Sequence, residues 1–275
     1  MRLGLFLVVL ASGVGSVSGA AQAQTDTELG WNFQLAAGYG RLDNPLKEAH
    51  DLNTVLLPSI RYYGENLYVE NFTIGYSLLE TRDLLIDIEG RLNEDGLLFS
   101  LNGLNRLLAT DLFSFTPTKI PIRGPLRYED IKRRASYLTG LSVTFPSQYG
   151  DWVFGHYRDV SGVHHGSETQ LRYQLHYDWA SWVFGLELGM IYKDRPLVDY
   201  YYRLSKEELG AYRMPQTVGG SHNYHARLVA NLPLNDQWSY VMSVEHTWLG
   251  AGIGQSFLIE DRDYGVYFVG MAYAF

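Results

Sequence analysis

Apolar and polar residues alternate with period two along most of the chain, a pattern that sends successive side chains to opposite faces of an extended strand. In SETQLRYQLHY, one face carries Thr169, Leu171, Tyr173, Leu175 and Tyr177 and the other Glu168, Gln170, Arg172, Gln174 and His176. WNFQLAAGY sets Trp31, Phe33, Leu35, Ala37 and Tyr39 against Asn32 and Gln34. LLIDIEGRL sets Leu84, Ile86 and Ile88 against Asp87, Glu89 and Arg91, and YHARLVANL sets Tyr224, Ala226, Leu228 and Leu232 against His225, Arg227 and Asn231. Each face keeps its chemistry from one segment to the next.

Two architectures use such strands. A soluble β-sandwich turns the apolar face into a core, whereas an outer-membrane barrel turns it to lipid and keeps the polar face in its lumen. The aromatic spacing separates them. Trp238 and Trp248 share a face, and at about 3.3 Å per residue with about 45° of tilt they stand roughly 23 Å apart along the membrane normal. That matches an apolar band about 25 Å tall flanked by aromatic girdles. Trp182 and Tyr192 repeat the spacing around Phe184, Leu186, Leu188 and Met190, and Trp31 opens the first strand. A sandwich core gives no reason to place rings at both ends of long strands. The sequence therefore predicts an all-β fold, a transmembrane antiparallel up-and-down β-barrel.

Short polar connections (PSQYGD, DWAS, LND) alternate with long ones near 41–53, 93–134, 194–221 and 249–263, as periplasmic turns alternate with extracellular loops. A direct count gives eleven strands, but both ends of a bacterial barrel lie in the periplasm and the number must be even. Splitting NLYVENFTIGYSLL near Asn71 gives twelve; merging weaker segments gives ten, the alternative. The segment 93–134 exceeds ordinary loop length, and its LNGLNRLLATDLF could form a short helix or a further hairpin. At the C-terminus Tyr267, Val269, Met271, Tyr273 and Phe275 share one face of a closing strand, with the last ring at the lipid interface.

Composition adds compartment and exclusions. Residues 1–23, with Arg2, an apolar run and Ala21-Gln22-Ala23, read as a cleaved signal peptide, leaving 24–275 as one barrel domain. The net charge of −8 becomes more negative without Arg2 and argues against nucleic acid as a partner. The absence of Cys excludes disulfides and thiolate metal or redox sites. Beyond the leader, no apolar run reaches the length of a membrane-spanning helix.

Charges of both signs fall on the predicted inner face: Arg61, Asp87, Glu89, Arg91, Glu168, Arg172, Glu187, Arg227 and Glu245. They either pair and fill the lumen or line a narrow polar passage, and pairing is the plainer expectation. Lys119, Arg123, Arg127, Lys132, Arg133 and Arg134 concentrate basic charge in one loop, a candidate contact for lipopolysaccharide phosphates. His164 and His165, with His156, raise the question of a metal, but adjacent side chains of an extended chain diverge and no metal site or cofactor is assigned. Asp159, Ser161, His164 and His165 are the densest catalytic candidates. Their spacing suits a turn better, with Asp159 and Ser161 bonding the backbone and Gly162 and Gly166 supplying positive φ, so no catalytic residue is assigned and the chain is read as a non-enzyme.

Four motifs carry a resemblance: LLPSIRYYGENLYVENFTIGY (Leu56 to Tyr76), like P-x-(I/V)-x-Y followed by an aromatic strand and a Gly; RDVSGVHHG (Arg158 to Gly166), like D-V-S-G-x-x-x-G; DYYYRLSKEE, like Y-Y-Y-G-V-S-x-x-E; and the terminal Y-x-F. Together they resemble the outer-membrane barrels named after the MltA-interacting protein and OmpV. Departures fall in loops: Arg203 and Leu204 replace Gly and Val, GQSF (Gly254 to Phe257) stands for D-S-P, and 105–130 has no counterpart. The resemblance implies residence in the outer membrane of a Gram-negative bacterium among its lipids and lipopolysaccharide. It also implies a C-terminal strand recognised by the barrel assembly machinery. In function it implies a scaffold joining a murein-degrading lytic transglycosylase to a murein synthase; a channel for small polar solutes and a surface adhesin are the alternatives.

Overall fold

The computed structural model describes residues 29–99, 131, 133–205, 208 and 218–275. The leader 1–23 and the stretch LNGLNRLLATDLF lie outside the described residues.

Twelve antiparallel strands close into a barrel: β1 (Gly30–Leu42), β2 (Leu52–Tyr63), β3 (Leu67–Glu70), β4 (Thr73–Glu80), β5 (Leu85–Leu92), β6 (Tyr137–Phe145), β7 (Asp151–Asp159), β8 (Ser167–Trp179), β9 (Trp182–Lys193), β10 (Ser221–Pro233), β11 (Trp238–Trp248) and β12 (Asp263–Ala274). Each strand pairs with its sequence neighbours, and β12 returns to β1 over nine residue pairs, Gln34↔Ala274 to Leu42↔Val266. The seam is tight: a Cβ on Gly38 would lie 2.1 Å from the Val269 carbonyl oxygen, so only glycine fits opposite Gly270. Closure removes the unpaired edge of an open sheet and so suits a chain that must cross hydrocarbon. Among the described residues, no helix is long and apolar enough to cross a membrane, which says nothing of strands.

The faces are inverted relative to a soluble protein. Leu141, Leu188, Leu228 and Val244 point outward and are about half exposed, while Asp87, Glu168, Glu187 and Lys193 are buried inside. In β7 the alternation is complete, with Asp151, Val153, Gly155, Tyr157 and Asp159 buried and the residues between them exposed. Rings mark both ends of the outer face: Trp31, Trp238 and Trp248 are exposed, Trp182 stacks on Phe184 at 5.8–6.0 Å spacing like that of Trp31 on Phe33, and Tyr192 packs on His222 at 4.6 Å. At the end of the chain the Phe275 N–H donates to Phe33 O (3.0 Å) and its ring meets Tyr273 edge-on at 4.9 Å.

Twelve strands rather than ten result because the chain does reverse at Asn71. Asn71 takes φ +52°, a conformation it tolerates better than most residues. Its N–H donates to Ile60 O (2.8 Å), and its Oδ1 accepts the Ile60 N–H (3.0 Å), so one residue ends the β2–β3 ladder. The resulting β3 is only four residues long. Asn71→Ala should destabilise the barrel by about 1–3 kcal/mol, since it strains the turn and leaves the Ile60 N–H unsatisfied. Asn71→Gly should recover only the conformational part. Urea unfolding on lipid vesicles reads both values, and equal stability of the alanine variant and the wild type would contradict this role.

Candidate functional site: the lumen and its cap

The inward residues form chords between strands. On one wall Glu187 is the hub: Arg227 Nη2 donates to it at 2.6 Å and Gln174 Nε2 at 2.6 Å, His225 Nε2 lies 3.0 Å away and Arg172 Nη1 3.8 Å. Arg227 also reaches Glu245, with 3.3 Å between Nε and Oε2. Further round the wall Glu89 accepts from Tyr157 (2.6 Å) and Tyr68 (2.8 Å), and Ser77 donates to Asp87 (2.7 Å). Arg91 joins β5 to β8 through Glu168 while its guanidinium lies 4.4 Å over the Tyr157 ring. Arg61 stands opposite Asn32 and Glu70 in register, on the same inner face.

Register explains these pairings. Residues opposite each other on neighbouring strands share a face, and Arg227 sits opposite both Glu187 and Glu245. One guanidinium therefore meets two carboxylates. Removing one member of such a buried set costs about 3–5 kcal/mol because the remaining charges stay desolvated.

Several lumen residues absent from the sequence-based set complete the network. Lys193 Nζ, buried at the outer end of β9, donates to both oxygens of Asp95 (2.8 and 2.7 Å), which lies beyond β5, and Tyr202 donates to the same carboxylate (2.5 Å). The signal that could have found Lys193 is its even spacing from Glu187 on β9, which puts both on one face. No local pattern identified Asp95, which belongs to a helical turn over 94–99.

Above this layer the described parts of the extracellular loops pack into a cap. The helix Arg195–Tyr202 begins at Asp194, whose Oδ1 accepts the Leu197 N–H (3.2 Å) and whose Oδ2 accepts both the Ser167 N–H and its hydroxyl (2.8 Å each). One carboxylate thus caps the helix and anchors it to β8. The helix buries Leu197, Val198, Tyr201 and Tyr202 against Leu46, Val218, Ile253 and Ile259, the Ile253 turn coming from the short helix Ala251–Gly254.

The turn after β7 is organised by Asp159, which accepts from Ser161 N (2.8 Å), Ser161 Oγ (2.6 Å), His164 N (2.7 Å) and His165 N (2.9 Å). The expected positive φ at Gly162 is present (+70°), but the second falls on His165 (+58°) rather than Gly166. Gly166 is small for another reason: a Cβ there would lie 2.5 Å from Asp194 Oδ1 and 2.6 Å from Leu197 N, where the capped helix presses on the turn. His156 points outward and pairs with Thr169 Oγ1 (2.8 Å), so it is not brought together with His164 and His165. Among the described residues, no group of three or more His, Cys, Asp or Glu is arranged to hold a metal ion.

Of the basic loop, Arg133 and Arg134 are described; Lys119, Arg123, Arg127 and Lys132 lie outside the described residues. Arg133 is committed to Glu208 (2.7 Å from Nη1 to Oε1, 3.1 Å from Nη2 to Oε2). Arg134 offers its backbone to the cap, its N–H to Tyr200 Oη and its carbonyl to the Tyr201 hydroxyl (3.0 Å each). Burial raises the Glu208 carboxyl, but the bond from Arg133 and those from Ser205 outweigh it and hold the group below its ordinary range.

His164 is buried under the cap. Its Nδ1 accepts the Gly166 N–H (2.9 Å), which leaves Nε2 to carry the proton toward Ser136 Oγ (3.0 Å). Burial lowers its pKa below the ordinary 6.5, with nearby carboxylates, Asp159 foremost, opposing the shift. Its contribution to the cap is therefore complete above pH 6.5 and is lost as pH falls through the depressed folded-state value, where protonation of Nδ1 breaks the Gly166 bond. Protection factors for amide exchange at Gly166 and along 195–202 should drop on acidification in the wild type and stay flat in His164→Gln. An identical decline in both proteins would assign the effect to another group.

The MltA-interacting protein MipA family matches residues 35–275. Outer membrane protein Omp26La of Vibrio anguillarum is 21% identical over 247 residues, covering 89% of this chain and 86% of that protein. Outer membrane protein OmpV of Vibrio cholerae is 20% identical with the same coverage. Among solved structures, an OmpT mutant of Vibrio cholerae lacking loop L8 is 7% identical, covers 89% of this chain and 99% of that one, and superposes with a TM-score of 0.38, too slight a likeness to transfer its properties. The closed barrel, its apolar outer face and the relatives' membership place the protein in the outer membrane of a Gram-negative bacterium. The chain belongs to the MltA-interacting protein (MipA) family of outer membrane proteins.

Proposed function

We propose that the protein is a scaffold of the outer membrane, a barrel filled by its own side chains that holds a lytic transglycosylase and a murein synthase near the inner surface of the membrane. The observation that carries this reading is the lumen: Arg91 on β5 reaches Glu168 on β8 past two intervening strands, Lys193 on β9 is tied to Asp95 beyond β5, and the outer end is packed by the helix Arg195–Tyr202. A barrel built this way offers its surface rather than a passage. The family's description as MltA-interacting supplies the class of partner. No reaction is assigned to the barrel itself, and its role is to bring enzymes together.

The face available to periplasmic enzymes is the ring of short turns, where Tyr149 (75% exposed) and Leu234 (52%) project beyond the strands. Exposed aromatic side chains such as Tyr149 are frequent anchors of a protein interface, and Leu234 adds apolar surface beside such an anchor. Crosslinking in intact envelopes followed by purification of the barrel should recover a lytic transglycosylase. A Tyr149→Ala, Leu234→Asp double variant should recover several-fold less at equal barrel abundance. Recovery of no murein enzyme from the wild type would overturn the scaffold reading.

A further inference from the structure

The outward face changes character toward the extracellular ends of β7 to β10. Along β7 the exposed residues run Trp152, Phe154, His156 and Arg158, from rings to an imidazole and then a guanidinium. On β8 the outward positions end in Leu171, Thr169 and Ser167. Register sets His156, Thr169, Tyr192 and His222 side by side on four consecutive strands, and one step farther out Arg158 stands between Thr139 and Ser167. Apolar side chains thus give way to polar ones as they do where a barrel wall leaves hydrocarbon for headgroups.

Arg158 ends this series. It is exposed, and its guanidinium meets no carboxylate among the described residues. Basic groups elsewhere on the outward rim are neutralised within the chain. Arg41 on β1 is held by Asp43 (2.8 Å) and Asp51 (2.6 Å), and His246 on β11 lies 3.0 Å from Asp263. The carboxylates near Arg158 are engaged in other work: Asp159 accepts from Ser161, His164 and His165, and Asp194 accepts from Ser167 and Leu197. A second cation follows along the rim. The Asp194 N–H donates to Ser167 O (3.0 Å), which puts Arg195 next to the β8 end, 64% exposed and bridged at 3.5 Å to Asp199. A solvated bridge of that kind holds a guanidinium weakly.

The position of Arg158 restricts the anion it can serve. Its side chain lies on the outer face of the wall, away from the buried carboxylates of the lumen, so the partner must lie beside the barrel. The planar fork of an arginine matches the oxygens of a phosphate. Below it Leu141, Phe154 and Leu171 are exposed on adjacent strands and offer apolar surface to acyl chains. Phosphate above and hydrocarbon below describe a phosphorylated lipid, and in the outer leaflet of a Gram-negative outer membrane that lipid is the lipid A of lipopolysaccharide.

We infer that the extracellular rim of β7 to β9 is a docking site for lipid A, with Arg158 holding one of its phosphates and the acyl chains lying on Leu141, Phe154 and Leu171. Arg195 faces the same headgroup layer from beyond Ser167. The site lies apart from the basic loop singled out in the sequence, where Arg133 is already bound by Glu208. It is independent of the scaffold role.

The test is a titration followed by native mass spectrometry, using the full barrel purified from outer membranes in detergent and freed of lipid. The probes are lipid A, the same lipid without its phosphates, and phosphatidylglycerol. The wild type should bind lipid A more tightly than either of the others. Arg158→Ala should weaken that binding about tenfold, as loss of a charge-assisted hydrogen-bonded pair does. Arg41→Ala, which removes a rim cation already paired within the chain, should leave it unchanged. Arg158→Gln, which keeps the side-chain length, serves if the alanine variant does not fold. Equal affinity of the wild type and the charge-free variant for lipid A, an equal loss in Arg41→Ala, or wild-type binding indifferent to the phosphates would overturn the assignment.

Discussion

Hydrocarbon offers no hydrogen-bond partner to a peptide group, and the architecture follows from that constraint. Every strand must find its donors and acceptors within the chain, so the sheet closes on itself and β12 returns to β1. Closure in turn fixes which side chains face lipid, because register and alternation leave no choice once a strand is paired. Beside the short β3, backbone groups of β2 are met in part by side chains: the Asn71 Oδ1 accepts the Ile60 N–H and the Thr54 hydroxyl donates to Leu56 O.

Inside, the barrel uses polar pairs where a soluble domain would use an apolar core. A twelve-stranded wall is wider than one that ordinary aliphatic side chains can fill, and long Arg, Glu and Tyr side chains reach across. Such pairs add little net stability, since desolvation offsets most of the attraction. Their effect is on geometry: Glu187 with Arg227 and His225, and Asp95 with Lys193 and Tyr202, tie particular strands and loops to one another. The cap helix is fixed to this layer through Asp194 and Tyr202, which ties it to β8 and to the Asp95 carboxylate of the lumen network.

Much of this was legible in the sequence because the determining signal is local. Period-two alternation in 167–177 and 224–232 assigned both faces, and the parity of strands placed the reversal at Asn71. The inner-face charges could be named, but not their partners: Arg91 and Glu168 are 77 positions apart, and Lys193 and Asp95 98. The place of the second positive φ was missed for a related reason. Gly166 is required by the approach of Asp194 and Leu197, a tertiary contact, while His165 takes the left-handed conformation. Arg133 looked like free basic charge until Glu208 was seen beside it.

In the proposed scaffold the paired side chains that reach between strands close the lumen to ions. Ion current through the purified protein in planar bilayers tests it most directly. The wild type should give no stable conductance, and a Glu187→Ala, Arg227→Ala variant that still folds should open measurable current by removing the hub of one wall. Steady channels in the wild-type protein would contradict the account.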